Sequence, residues 1–163
     1  PLMGAVFTGF FGLLLGQKGT KIITILFIFF SFILSCFCWS SIFLSNTVIY
    51  INLLNWFNFG FLTINWGFFF DGLTTIMLCI VTLISLLVHI YSTDYMGSDP
   101  HLIRFMSYLS LFTFFMLILV TSDNFIQLFV GWEGVGLCSY LLIGFWYTRI
   151  SANKAALKAI IIN

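Results

Sequence analysis

An all-α, polytopic transmembrane helix bundle is the fold class this sequence predicts. Three observations lead there. The chain of 163 residues is 61% hydrophobic and 7% charged, with a mean hydropathy of +1.14. A soluble domain carries roughly 25% charged residues, so this chain would lack a polar coat. Its apolar runs are long and do not alternate with polar residues, as the strands of a membrane barrel would. Dividing the chain into five spans plus the start of a sixth puts Lys18, Lys21, Arg104, Arg149, Lys154 and Lys158 all on one side, the asymmetry of cytoplasmic or matrix loops.

Each element follows from composition. Residues 2–16 are a first apolar run, shorter than the roughly 20 residues that cross a bilayer, so further residues are expected before Pro1. Residues 17–21 are a polar turn and residues 22–45 a second span. Residues 46–67 are apolar but punctuated by Asn46, Asn52, Asn55, Asn58 and Asn65, with Trp56 and Trp66 suited to an interface. They are expected to form an interfacial loop, with Asn58, Phe59 and Gly60 offering the turn of a hairpin. Counting this segment as a span would split the basic residues two against four. Residues 68–91 are the third span, with Asp71 at its start to cap the helix.

A polar loop, residues 92–104, leads to a fourth span over 105–120. Residues 121–124 are a turn in which Ser122 or Asp123 is available to cap the fifth span, residues 125–147. A sixth run, residues 151–163, is incomplete. The whole is one transmembrane unit, residues 1–163, with its N-terminus outside, Asp71 and Asp123 near the outer surface and the basic loops inside.

Several function classes drop out. A net charge of +1 with no basic tract gives nucleic acid no footprint. There is no metal-ligand cluster, and the glycine-rich nucleotide-binding patterns are absent. Cys36, Cys38, Cys79 and Cys138 all lie in apolar runs and are expected to act as small packing residues.

One residue remains conspicuous. Glu133 lies ten residues beyond Asp123, about 15 Å along a helix, and therefore near the middle of a hydrocarbon layer about 30 Å thick. A carboxyl group there is costly and marks a functional site by default. Burial disfavours its ionised form, and an approaching cation favours it. A group held between these effects can load and release a proton. Gly131, Gly134 and Gly136 surround it and let a neighbouring helix or water come close. The plainer alternative is a neutral, hydrogen-bonded residue joining two helices. Lys158 is a candidate entrance residue and His89 a candidate proton-path residue at the inner end of the third span, although both residue types also serve as interface anchors.

The run FVGWEGVGLCSYLLIGFWYTRISANKAALKAIIIN, residues 129–163, closely resembles the proton-pumping antiporter-like subunits of respiratory complex I. Asp71-Gly72-Leu73-Thr74, Tyr91 to Met96 and Pro1 to Ala5 are similar to the same family, and the likeness is weakest over residues 22–61.

The resemblance implies a membrane-arm subunit of NADH:ubiquinone oxidoreductase in the mitochondrial inner membrane. It would translocate protons, driven by quinone reduction elsewhere in the complex. Glu133 would pair with a lysine on a broken helix that lies beyond this sequence. No cofactor is expected in the chain itself; NADH, FMN, iron–sulfur clusters and ubiquinone would belong to other subunits. The expected partners are those subunits, membrane lipids, and a polypeptide supplying the remaining helices and the lysine. A subunit of a multi-subunit sodium/proton antiporter and a non-conducting scaffold of the membrane arm are the alternatives.

Overall fold

A computed structural model describes residues 1–45, 47–60 and 62–163. Asn46, first of the asparagine series, and Phe61 lie outside the described residues. The chain runs α1 (Leu2–Ser45), β1 (Ile49–Phe59), β2 (Leu62–Phe70), α2 (Gly72–Tyr95), α3 (Leu102–Val120), α4 (Phe125–Ile143) and α5 (Ile150–Ile162). Among the described residues, α1, α2, α3 and α4 are long and apolar enough to cross a membrane.

The interior is the reverse of a soluble core. Thr8, Thr20, Thr24, Thr75, Thr82, His89, Ser110 and Gln127 are almost fully buried, whereas Phe10, Leu13, Phe37, Phe43, Leu73 and Phe125 stand exposed. This is expected where lipid solvates the outside, because apolar side chains then gain little by facing inward. The hydroxyls are satisfied locally or across helices. Thr8 donates to the Gly4 carbonyl (2.7 Å), Thr20 to Gly16 (2.7 Å) and Thr24 to Thr20 (2.9 Å). Ser35 meets Thr82 at 2.9 Å, Ser85 meets Thr113 at 2.6 Å, and Ser107 donates to the Ala5 carbonyl at 3.0 Å. These contacts form a polar seam joining α1, α2 and α3.

The first reversal falls on Gly16, not on the polar stretch 17–21. Gly16 takes φ +66 within α1, and residues 17–21 are helical. Glycine reaches that backbone region at no steric cost, so one residue suffices for the turn. The two arms of α1 then fold back on each other, stacking Phe7 on Phe27 at 6.1 Å.

The segment 46–67 contains the first strand and most of the second. β1 and β2 pair antiparallel from Ile49↔Phe70 to Phe59↔Leu62, and Gly60 supplies a positive φ at the tip. Trp56 packs edge-on against Trp66 at 4.9 Å. The second strand continues through Phe70, so the next helix starts at Gly72 rather than at Phe68. Asp71 fixes that start. Its side chain accepts from the Thr74 amide (2.7 Å), and the Thr74 hydroxyl accepts from the Asp71 amide (2.8 Å), a reciprocal cap.

Two more boundaries move. α3 begins at Leu102, which places Arg104 inside its first turn. α4 ends at Ile143, not at residue 147. The chain leaves the helix there to bury Phe145 among Met96, Leu102 and Met106. The cap of α4 is Asn124, whose side chain accepts from the Gln127 amide at 2.8 Å. Asp123 instead accepts from the Tyr50 hydroxyl at 3.0 Å.

Successive helices pack antiparallel. His89 meets Ser110 between α2 and α3, Gly131 abuts Leu119 between α3 and α4, and Gly144 abuts Ala156 between α4 and α5. Lys18, Lys21, Arg104, Arg149 and Lys154 therefore gather toward one end of the bundle. The hairpin, Asp71 and Asp123 lie toward the other.

Candidate functional site

The glycines of α4 decide which way its carboxylate faces. A Cβ on Gly131 would stand 2.8 Å from the Leu119 Cα, and one on Gly134 would enter the Phe115 ring. A Cβ on Gly136 would collide with the Asn163 side chain. Two sides of α4 are thus closed, one by the α3 backbone at Leu119 and the Phe115 ring, the other by the Asn163 side chain at the end of the α5 segment. Ile126, Phe129, Glu133 and Leu137 recur at spacings of three and four, so they share a side that these contacts leave open. All four are exposed.

Glu133 is the ninth of the 19 residues of α4, about 12 Å from its start. It is therefore central along the bundle axis and open to the side. The helix presents a carboxyl at mid-depth on a face whose other occupants are apolar.

Lys158 lies on α5, exposed, and lines a shallow hollow with Trp132, Ala155, Ala159, Ile162 and Asn163. The Trp132 indole donates to the Asn163 carbonyl at 3.3 Å across it. Lys158 thus borders Glu133's neighbour in sequence, and Glu133 itself is not part of that lining.

His89 is fully buried between α2 and α3. Its Nδ1 lies 2.8 Å from the Ser85 carbonyl and its Nε2 3.1 Å from the Ser110 hydroxyl. A carbonyl only accepts, so Nδ1 carries the proton and Nε2 accepts from Ser110. Both ring nitrogens are satisfied by a neutral imidazole. The three candidate residues are not brought together. One faces outward from α4, one sits beside Trp132 on α5, and one is enclosed on the far side of α3.

Two features escaped the sequence reading. Gln127 is fully buried one turn into α4. Its Oε1 accepts from the Gly67 amide at 3.3 Å, tying α4 to the hairpin, and its Nε2 has no acceptor among the described residues. A lone amide in an apolar run was the available signal. The second is a knot at the basic end. Asp99 accepts from the His101 amide (2.8 Å) and the Trp146 indole (3.1 Å). These donors, the amide above all, hold its carboxyl below the usual aspartate range. At the hairpin end the Tyr50 phenol is pushed up from its usual value, chiefly by its hydrogen bond to Asp123.

Comparison with known proteins agrees with this architecture. Residues 56–106 match the family model described as NADH-Ubiquinone oxidoreductase (complex I), chain 5 N-terminus. Residues 122–163 match that described as NADH:quinone oxidoreductase/Mrp antiporter, TM. The whole chain is 57% identical over 163 residues to NADH-ubiquinone oxidoreductase chain 5 of Phytophthora infestans, covering 24% of that protein. It is 54% identical to the same chain of Triticum aestivum, again covering 24%. It is 57% identical over 165 residues to that of Metridium senile, covering 27%. The sequence spans about a quarter of the length of the curated relatives it matches. With its apolar helices, its glycine-lined α4 and these relatives, the chain belongs to the chain 5 family of antiporter-like complex I membrane subunits.

Proposed function

We propose that this chain forms part of the proton-translocating membrane arm of NADH:ubiquinone oxidoreductase in the mitochondrial inner membrane, with Glu133 as its proton-transfer site. The observation that carries the proposal is the placement of Glu133, central along α4 and on a side that Gly131, Gly134 and Gly136 leave uncovered. A carboxylate turned toward lipid at that depth is strongly disfavoured. A cation-bearing helix from the remainder of the protein is the partner that resolves this, and its approach and withdrawal would switch the proton affinity of Glu133.

Lys158, beside Trp132, would line the entrance from the basic end, which faces the matrix in this reading. The N-terminus then faces the intermembrane space. The chain is a non-redox subunit. Moving one charge against 100 mV takes about 2.3 kcal/mol, so the drive must arrive by coupling from subunits that hold NADH, FMN, the iron–sulfur clusters and ubiquinone. A second reading, a subunit of a sodium/proton antiporter, has one point in its favour: the family model over residues 122–163 names both groups. The chain 5 match over residues 56–106 weighs for complex I.

For His89 the two satisfied ring nitrogens support a strut between α2 and α3, with proton relay as the alternative. The test of the main proposal is Glu133→Gln in the assembled complex. Assembly should survive and proton translocation should fall sharply. Wild-type translocation by the assembled variant would end the assignment.

A further inference from the structure

We propose that the cleft between α3, the end of α4 and the start of α5 binds the phosphate headgroup of an anionic phospholipid. The cleft measures about 500 Å³ and is lined by Arg104, Tyr108, Tyr140, Tyr147, Asn153 and Leu157, among others, with no carboxylate in its wall among the described residues. It lies at the basic end of the bundle, at least seven residues along α4 from Glu133, and the inference does not depend on that residue's role.

Arg104 is the anchor. Its guanidinium lies over the Phe145 ring, 4.9 Å from the centroid. Phe145 is itself only 4% exposed and packs edge-on against Phe105 at 5.3 Å. A flat cation resting on a fixed ring keeps its N–H edge aimed in one direction. Among the described residues, one of its five N–H groups reaches an acceptor, a long 3.4 Å contact from Nη2 to the Phe145 carbonyl. The rest are available for the paired hydrogen bonds that a phosphate accepts. The acid nearest in sequence, Asp99, accepts from His101 and Trp146 and makes no hydrogen bond to Arg104 among the described residues, although the Arg104 charge adds to what lowers its proton affinity. The Asn153 amide nitrogen is used on the Tyr147 carbonyl at 2.7 Å, which fixes the rim.

Depth distinguishes a lipid from a free anion. Arg104 is the third residue of α3 and Tyr140 lies four residues before Gly144, which ends α4. The polar wall therefore sits about one turn inside the basic end, where headgroups and interfacial tyrosines belong. Leu157, 53% exposed, carries the wall onward along α5 toward the middle of the bundle. An acyl chain would follow that path, and inorganic phosphate would have no use for it. Arg149, stacked on Trp146 at 5.3 Å, and Lys154, the fifth residue of α5, add positive charge at the same end of the bundle, the arrangement that draws anionic headgroups.

The assembled complex would be reconstituted in phosphatidylcholine vesicles with and without phosphatidylglycerol, including a photoreactive phosphatidylglycerol, and the adduct mapped by peptide mass spectrometry. The expected adduct lies on the peptides from Tyr140 to Leu157. Arg104→Gln should lower its yield about tenfold, the loss of one charge-assisted contact. Arg104→Lys, which keeps the charge and loses the fork, should fall between. If Arg104→Gln does not assemble, Tyr108→Phe provides the test, with a loss of about threefold. Excess inorganic phosphate should leave the yield unchanged. The proposal is overturned if no adduct forms in this region, if inorganic phosphate displaces the lipid, or if the substitution that assembles labels like the wild type.

Discussion

Gly131→Ala puts the close contact of α3 and α4 to the test. The new methyl would sit 2.8 Å from the Leu119 Cα and amide nitrogen and 2.9 Å from its Cβ, where ordinary contact begins at 3.4 Å. Two of the obstructing atoms are backbone, so no side-chain rotation relieves them, and the helices must separate by roughly half an ångström. Overpacking of this kind costs about 1–3 kcal/mol. Replacing a mid-helix glycine by alanine returns about 1 kcal/mol of helix propensity. The net expectation is a loss of about 1 kcal/mol, with α4 displaced from α3.

Gly72→Ala is the internal control. A Cβ there meets nothing within 4 Å, so only the favourable propensity term remains and the sign reverses. Thermal unfolding of the assembled complex, followed by intrinsic fluorescence, should show a lower midpoint for Gly131→Ala and an equal or higher one for Gly72→Ala. Proton translocation should fall in Gly131→Ala as well, because misplacing a reacting group by about 1 Å can cost 10²-fold. Equal midpoints and equal translocation in the two variants would refute the claim that glycines fix the orientation of Glu133.

Three further expectations follow from named contacts. Asp71→Ala removes the reciprocal cap of α2 and should destabilise the assembled subunit by about 1 kcal/mol, with Asp71→Asn much milder, read from the same thermal midpoints. His89→Leu strands the Ser110 hydroxyl from its ring partner at a cost of about 1–3 kcal/mol. His89→Gln keeps a donor and an acceptor, so as a strut it should leave translocation per NADH unchanged, and a selective loss of translocation would assign the ring to the proton path instead. Asp99 has its proton affinity lowered by the His101 amide and then the Trp146 indole. Its contribution is therefore present above the usual aspartate range and lost as pH falls through the lowered value. Trp146 fluorescence should change on acidification only below the pH at which an ordinary aspartate titrates, and Asp99→Asn should abolish that transition.

What could be read from the sequence separates along physical lines. Membrane helices announce themselves by composition, because the bilayer demands long apolar runs and internal backbone pairing. The end at which Lys18, Lys21, Arg104, Arg149 and Lys154 gather followed from charge alone. Boundaries were harder wherever a single residue acts against an apolar background. Gly16 reverses α1 through its φ of +66, yet the polar residues 17–21 looked like the turn, because polarity was the only contrast available. Phe145 ends α4 by being buried against Met96, Leu102 and Met106, a tertiary cause with no local mark. Asn124 rather than Asp123 caps α4 because Asp123 is engaged by Tyr50, 73 residues away.

The candidate site divides in the same way. That Glu133 lies at mid-depth followed from counting residues along a helix. That it faces outward did not, because the glycines around it fit an approach from any side. Leu119, Phe115 and Asn163 occupy two of those sides, and Glu133 lies on a side they leave open to whatever neutralises the carboxylate. The location of the charge is thus written in one helix, while the direction from which its partner must come is written in the packing of three. Any cation proposed for Glu133 must therefore reach the Ile126, Phe129 and Leu137 side, and a crosslink from a lysine helix to Leu137 rather than to a position facing α3 is the contact this geometry requires.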